Sequence, residues 1–438
     1  MLSFIFNKID TNNINFFNNL NFFLKNKLDN KYIENFVKNV IFNIKKYKDK
    51  ALFYYINKYE SFNIKNINDI KLDYSDIKKA YYNLNKKNKY LLECCFNRIK
   101  FFHEEQKNIF HKNWKIIESD GNFLGQKSNF IEKLGFYIPG GKAIYPSSIF
   151  MNTASSNILN IKDTTLVIPI NKNNNNYNLV LSALYLSNIN HVYLMGGAHA
   201  ISALSYGTNL IKKVDKIFGP GNIFVSLAKK IIYGDTGIDM IAGPSEVLIL
   251  VDDYFYLNNL VLDLFSQSEH DILAQSIIIC SNYKILIKIE EIINELIPFM
   301  YRKKIILGSL KERSFFIKTN NLIESCNIIN YIAPEHLIIY SKNYNNIFKY
   351  IKNSGSVFLG YYCSESFGDY SIGLNHILPT YKNSKFSSSL GIYDFSKKIN
   401  FSSLNNLGFK KLFYITSKFA MNEGLFSHSE SVLLRNLF

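Results

Sequence analysis

No uninterrupted apolar run in these 438 residues reaches the length that crosses a membrane, and the run after Met1 is too short for a signal peptide. Cysteine is scarce as well. Cys94, Cys95, Cys280, Cys326 and Cys363 are five in number and show no CxxC spacing. That argues against a disulfide framework or a cysteine-built zinc site and points to a reducing compartment. Arginine is far outnumbered by lysine, and the lysines are scattered among Asn, Ile, Phe and Tyr without forming a basic stripe. The net charge of +16 therefore reads as a chain-wide compositional bias, not as a surface for nucleic acid. The expectation is a soluble, cytoplasmic protein with neither membrane nor nucleic acid as a partner.

What is present is a hydrophobic fraction of 47%, enough for sizeable interiors, on a length suited to about three domains. Up to about residue 115 there is almost no Gly or Pro. Apolar positions recur at helical spacing there, as in Tyr32, Phe36, Val40 and Ile44, and in Ile77, Ala80, Tyr81 and Leu84. Residues 1–133 are read as a helical amino-terminal region packing on the substrate domain. At Leu134 the pattern becomes strand, glycine, helix. Strands are expected at Gly135–Ile138, Thr165–Pro169, His191–Met195 and Lys216–Phe218, while Asn171–Asn178 reads as a solvated low-complexity loop. This makes 134–237 an α/β domain with a parallel sheet. A second one, 238–380, has strands at Val247–Val251, Ser276–Cys280 and Leu337–Tyr340. The tail, 381–438, ends in Glu423-Gly-Leu-Phe-Ser-His428 and has the character of a segment that packs elsewhere, another subunit included.

Two stretches carry chemistry. In Asn330-Tyr-Ile-Ala-Pro-Glu-His-Leu-Ile-Ile339 an acid and a base, Glu335 and His336, stand side by side in an apolar setting. Pro334 biases Ala333 away from helix and toward an extended conformation. The pair thus sits at the mouth of a strand, where burial is expected to raise the Glu pKa and keep the imidazole near neutrality. Taken alone, the stretch also fits a Glu and a His that merely satisfy each other. In Gly219-Pro-Gly-Asn222, Asn222 is a good N-cap for a helix with Phe224, Leu227, Ala228 and Ile231 on one face and Gly234 at its end. Such a turn is a natural pyrophosphate site. Without GxGxxG, plain turn glycines are the stronger reading of the residues alone. Gln267 and His270, three apart on an expected helix, share a face. They are a metal pair or a polar pair, and Asp369 and His428 would complete a shell suited to zinc.

Taken together, Gly135-Phe-Tyr-Ile-Pro-Gly-Gly, Gly196-Gly-Ala, Ile217-Phe-Gly-Pro-Gly-Asn, Ala242-Gly-Pro-Ser-Glu, Ser266-Gln-Ser-Glu-His, Ala333-Pro-Glu-His and Gly368-Asp-Tyr resemble the histidinol dehydrogenase family, in its order and spacing. The resemblance is dense over 134–380 and returns at the end of the tail. It implies two incomplete Rossmann-like domains arranged as in aldehyde dehydrogenases, with a carboxy-terminal tail exchanged in a homodimer that shares its active sites. It implies NAD-dependent four-electron oxidation of L-histidinol to L-histidine through a bound aldehyde, the last step of histidine biosynthesis. By motif, one zinc ion per subunit falls to Gln267, His270, Asp369 and His428, the last supplied by the partner chain. Ser245 and Glu423 fall on substrate-contacting positions, as do His336, His376 and the zinc ligands. Tyr137, His199 and Asn222 fall on NAD-contacting ones. His336 would take the alcohol proton, and Glu335 would activate water against the aldehyde. The family's usual Gln is His199 here, which bears on NAD affinity because imidazole cannot present an amide's paired donor and acceptor. Leu374 and Ser364 also depart, standing where Thr and Pro are usual.

Three rival readings are weaker. A metal-dependent hydrolase would need no strand–glycine–helix region at 135–235. A thiol-based aldehyde dehydrogenase needs an activated Cys, and none of the five has a convincing setting. A nucleic-acid-binding protein lacks the basic stripe.

Overall fold

The computed structural model describes residues 6–24, 31–60, 64–140, 146–170 and 176–437; Gly141 and most of the Asn-rich loop lie outside them. The chain divides into two compact units, Met1–Glu104 with Glu132–Gly391, and Glu105–Ile131 with Ile392–Phe438.

The first unit holds two all-parallel sheets. One has five strands in the order His191–Tyr193, Asp163–Val167, Lys133–Tyr137, Lys216–Phe218, Gly237–Ile238. The chain works outward from Lys133–Tyr137 to one edge, then returns to build the other side. The strand order therefore reverses between Lys133–Tyr137 and Lys216–Phe218, the place where α/β sheets open a crevice at their carboxyl ends. The other sheet has six strands in the order Asn7–Asp10, Phe315–Lys318, Gln275–Cys280, Glu246–Val251, His336–Tyr340, Ser356–Leu359. Its central strands are buried on both faces. Val247, Ile249 and Val251 join one apolar cluster, and Leu248 and Leu250 join another. That is why they read as unbroken apolar runs and not as alternations.

The amino-terminal region is divided between these sheets and does not pack on the substrate domain alone. Asn7–Asp10 adds an edge strand to the six-stranded sheet, with Phe6 stacked on Phe316 at 4.2 Å. The helix Lys31–Tyr59 instead lies on the helices Gly197–Tyr206 and Ile223–Ile232 of the five-stranded sheet, and Tyr74–Asn83 lies on Tyr177–Ser187. The reason is visible in the side chains. After the kink at Lys48, Ala51, Leu52, Tyr55 and Ile56 are buried, with Tyr55 beside His199 of a helix made largely of Gly, Ala and Ser, which permits close approach; before it, Val37, Val40, Ile41 and Ile44 form the buried stripe. Tyr32, expected in that stripe, is 83% exposed.

Two further expectations shift. The helix after Asn222 buries Val225, Ser226, Leu227, Ala228, Lys229 and Ile232, a face turned from the one the spacing suggested. The helix Leu257–Ser268 stops before His270, which lies in the following turn with its N–H donating to Gln267 O at 3.2 Å.

The second unit is an antiparallel sheet of Trp114–Ile117, Phe123–Phe130 and Ser396–Ser403, with two helices, Asn406–Asn422 and Phe426–Leu433, packed on each other. Among the described residues no helix is long and apolar enough to cross a membrane.

Candidate active site

The acid–base stretch is held by backbone on every side. The helix Leu322–Ile332 is capped by the Asn321 side chain and closed by Ala333, whose N–H reaches Ile329 O at 2.7 Å. Ala333 is left-handed, at φ 51°, and not extended as expected. Pro334 does forbid the continuing helical conformation, but the helix ends here in a left-handed cap, which satisfies an orphan carbonyl. Beyond it, the N–H groups of Gly355 and Ser356 bond to Pro334 O and Glu335 O at 3.0 and 2.9 Å. A Cβ on Gly355 would stand 2.6 Å from Glu335 O, so only glycine allows this approach. His336 then opens its strand.

Register decides what the pair meets. His336 is level with Val247 in the neighbouring parallel strand, which brings Glu335 beside Glu246. The Glu246 N–H donates to Glu335 Oε2 at 2.8 Å. It also faces the Gln267 side chain: with the amide oxygen turned toward it (2.8 Å), the amide nitrogen donates to Glu365 Oε1 at 2.5 Å. His336 Nε2 lies 3.7 Å from Glu365 Oε1 and 3.9 Å from Glu335 Oε1. Asp369 and His376 are 3.4 Å apart, an ion-pair distance and not a well-formed hydrogen bond. The cluster lies at the amino ends of the strands in the six-stranded sheet, opposite the edge where nucleotides usually bind.

Its electrostatics suit proton traffic. Burial pushes the Glu335 carboxyl well above its ordinary value, and the Glu246 and Asp369 charges push the same way against the Glu246 N–H. Burial lowers the His336 imidazole to about 4, helped by His376 and His270 and opposed by Asp369, so it falls below the neutrality expected of it. At pH 7 the ring is a neutral acceptor. Asp369 behaves differently. Burial would raise it, but His376, with His336 and His270 in the charged forms they take at low pH, more than offsets that and holds the carboxyl below its ordinary value. His270 stands at the solvent-exposed rim, yet the surrounding protein desolvates its ring enough to lower its pKa.

Of the expected metal ligands, Gln267, His270 and Asp369 belong to this unit, and electrostatic coupling of His270 and Asp369 to His336 links them to the dyad. Ser245 directly precedes Glu246. Glu423 and His428 belong to the second unit, where both are exposed. Among the described residues no three of His, Cys, Asp and Glu assemble as a metal site. The expected set offers two such residues in this unit, plus an amide. Three buried polar atoms here, His336 Nδ1, His376 Nδ1 and Glu365 Oε2, make no hydrogen bond, as suits a site that receives a polar guest. The donor set of amide and carboxylate oxygen with imidazole nitrogen suits zinc.

The nucleotide-contacting residues expected from sequence lie at the carboxyl ends of the five-stranded sheet. Tyr137 is buried at its strand end, its hydroxyl accepting from the Gly197 N–H at 3.2 Å. Asn222 Oδ1 accepts from the N–H groups of Phe224 and Val225 at 3.1 and 3.2 Å, the expected cap. His199 pairs through Nε2 with Glu60 Oε1 at 2.8 Å, and the same oxygen accepts from the Gly196 N–H at 2.9 Å. A carboxylate thus answers the imidazole at this position.

Sequence reasoning missed Glu246, Glu365 and Glu60. Glu246 stood inside a recognised motif, but only the parallel register brings it beside Glu335, and Glu365 meets His336 from the helix Glu365–Tyr370. Glu246 carries a separable consequence. Burial raises its pKa from 4.5 to about 7, against the Tyr381 N–H and the Arg313 charge. A carboxyl raised in the folded state disfavours folding once ionised. Its contribution is therefore greatest below about pH 4.5 and is lost as pH rises toward 7, by roughly 3 kcal/mol. In chelator-treated protein, Glu246→Gln is expected to flatten the fall in melting temperature between pH 5 and 8. An unchanged slope would show that Glu246 is not the group responsible.

Comparison with known proteins agrees across the chain. The family model described as histidinol dehydrogenase matches residues 24–436. The histidinol dehydrogenase of Burkholderia lata is 43% identical over 350 residues, 80% of each chain, and that of Cupriavidus pinatubonensis is 41% identical over 350 residues, 80% of this chain and 78% of the relative. The crystal structure of histidinol dehydrogenase from Elizabethkingia anophelis superposes with a TM-score of 0.90 at 31% identity, covering 98% of each chain.

Proposed function

Because the chain belongs to the histidinol dehydrogenase family, and is therefore an oxidoreductase that oxidises histidinol in histidine biosynthesis, we propose that it carries out the full four-electron oxidation of L-histidinol to L-histidine, dependent on zinc and NAD. The observation that carries this reading is the buried dyad of Glu335 and His336. Their pKa values are displaced in opposite directions, within reach of Gln267 and Glu365.

Gln267, His270 and Asp369 would hold the zinc ion, with His428 of a second copy as fourth ligand. Bound there, the ion would supply a template that orients histidinol. The chain's own groups do the rest. His336, neutral at pH 7, takes the alcohol proton as hydride leaves for NAD. Glu335, made a stronger base by burial, takes a proton from the water that adds to the aldehyde carbon, and the hydrated carbon then gives the second hydride to a second NAD. Ser245, His376 and, from the tail, Glu423 line the substrate. Tyr137, His199 and Asn222 serve the nucleotide, with Glu60 fixing the His199 ring.

A homodimer with shared sites is supported by the second unit, where Leu407, Tyr414, Ile415, Phe419 and Phe426 are each at least 61% exposed. The solution mass should be near twice the chain's 50.8 kDa, and a stable monomer with full activity would refute sharing. The cytoplasm is the compartment supported by five unpaired cysteines. The thiol-based alternative weakens further, because burial pushes Cys280 up to about 11 and raises Cys95 and Cys326. A rise in reduced-nicotinamide absorbance on mixing protein, NAD and histidinol, with histidine recovered as product, tests the reading. No rise at any nucleotide concentration would overturn it.

A further inference from the structure

The turn at the switch point of the five-stranded sheet is gripped by a buried ion pair. Lys229 projects from the inner face of the helix Ile223–Ile232, and Asp239 follows the strand Gly237–Ile238. Their side chains are 2% and 0% exposed. Lys229 Nζ contacts Asp239 Oδ1 and donates to Gly219 O at 2.8 Å. Asp239 Oδ2 accepts from the Gly219 N–H at 2.7 Å, and Oδ1 accepts from the Met240 N–H at 2.6 Å. Both backbone polar groups of Gly219 therefore end in one ion pair. Gly219 has a φ of +112°, and a Cβ on it would stand 1.9 Å from Tyr137 O. This glycine is wedged between the two strands that flank the crevice.

A buried ion pair is a poor device for stability alone, since well-packed apolar side chains of the same volume do as well or better. What this pair provides is a fixed direction for the chain leaving Gly219. Two residues on, Gly221 packs against Val225, and Asn222 caps the helix. We propose that Lys229 and Asp239 are positioning residues for NAD: through Gly219 they pre-set the N–H groups of the turn and of the first helical turn for the nucleotide pyrophosphate. This rests on reading Gly219–Asn222 as the nucleotide turn. It adds that the turn is held rigid before nucleotide arrives, so that binding carries no ordering cost.

The test uses the full-length protein, with steady-state kinetics in NAD and in histidinol. Asp239→Asn and Lys229→Met each leave one charge unpartnered, so Lys229→Met/Asp239→Leu, which leaves none, is measured beside them. The expected result is a KM for NAD raised roughly ten- to a hundredfold, with kcat at saturating NAD and KM for histidinol within about twofold. Folded variants with an unchanged KM for NAD, or with a loss confined to kcat, would overturn the proposal. Asn222→Asp keeps the cap but sets a negative charge against the pyrophosphate. If it leaves KM for NAD unchanged, the turn is not the nucleotide site; if it raises KM while the clamp variants do not, only the clamp is wrong. Should no clamp variant fold, amide exchange in the wild type decides. Gly219 and Met240 should exchange slowly without NAD and no slower with it, whereas fast exchange that NAD suppresses contradicts a preset turn.

Discussion

Glu335→Gln should stop the reaction halfway. The amide keeps an oxygen for the Glu246 N–H now bonded to the carboxylate at 2.8 Å, and it resembles the neutral carboxyl that burial already favours. Folding and melting temperature should therefore hold or improve slightly. Removing the general base should slow conversion to histidine by roughly a hundred- to ten-thousandfold. The first oxidation, assigned by our proposal to His336, should survive. A rapid mix of the variant with histidinol and NAD is expected to reduce about one NAD per site and then stall, with the aldehyde held. If the variant completes the reaction at the wild-type rate, Glu335 is not the base, and Glu246 or Glu365, two other carboxyls of the cluster, become the candidates.

The second large effect concerns the ligand set. Asp369 is the one carboxyl here whose pKa lies below its ordinary value, despite its burial, because three histidines surround it. It stays ionised at pH 7 and can meet a cation, whereas burial raises the pKa of both Glu335 and Glu365. Asp369→Asn should therefore lose bound zinc and, with the substrate no longer oriented, roughly a hundredfold or more in turnover. A chelator should do the same to the wild type. Zinc added back should restore the wild type and leave Asp369→Asn inactive. Full turnover by chelated protein with less than 0.1 equivalent of metal per chain, roughly the level of trace contamination, would remove the ion from the mechanism.

How legible all this was in the sequence follows from physics. The buried parallel strands announced themselves as short apolar runs after glycines, because a strand covered on both faces has no polar side to show. Asn222 as a cap and Glu335–His336 at a strand mouth could be read from local chemistry. The strands Asn7–Asp10, Trp114–Ile117, Phe123–Phe130 and Ser396–Ser403 could not. The first is an edge strand, and the others expose much of their surface, so their pattern is set by pairing partners distant in sequence. Glu246, Glu365 and Glu60 escaped for a related reason. Each is ordinary where it stands in the chain and becomes chemical only when register or helix packing brings Glu246 beside Glu335, Glu365 to His336 and Glu60 to His199. The left-handed Ala333 shows a local rule correctly excluding one conformation without selecting among those that remain.

The most direct measurement counts nicotinamide. With histidinol limiting and NAD in excess, reduced nicotinamide formed per histidinol consumed should be two, with histidine as the product and no free aldehyde. A ratio of one, with aldehyde accumulating in solution, would contradict the claim that a single buried acid–base pair handles both oxidations in place.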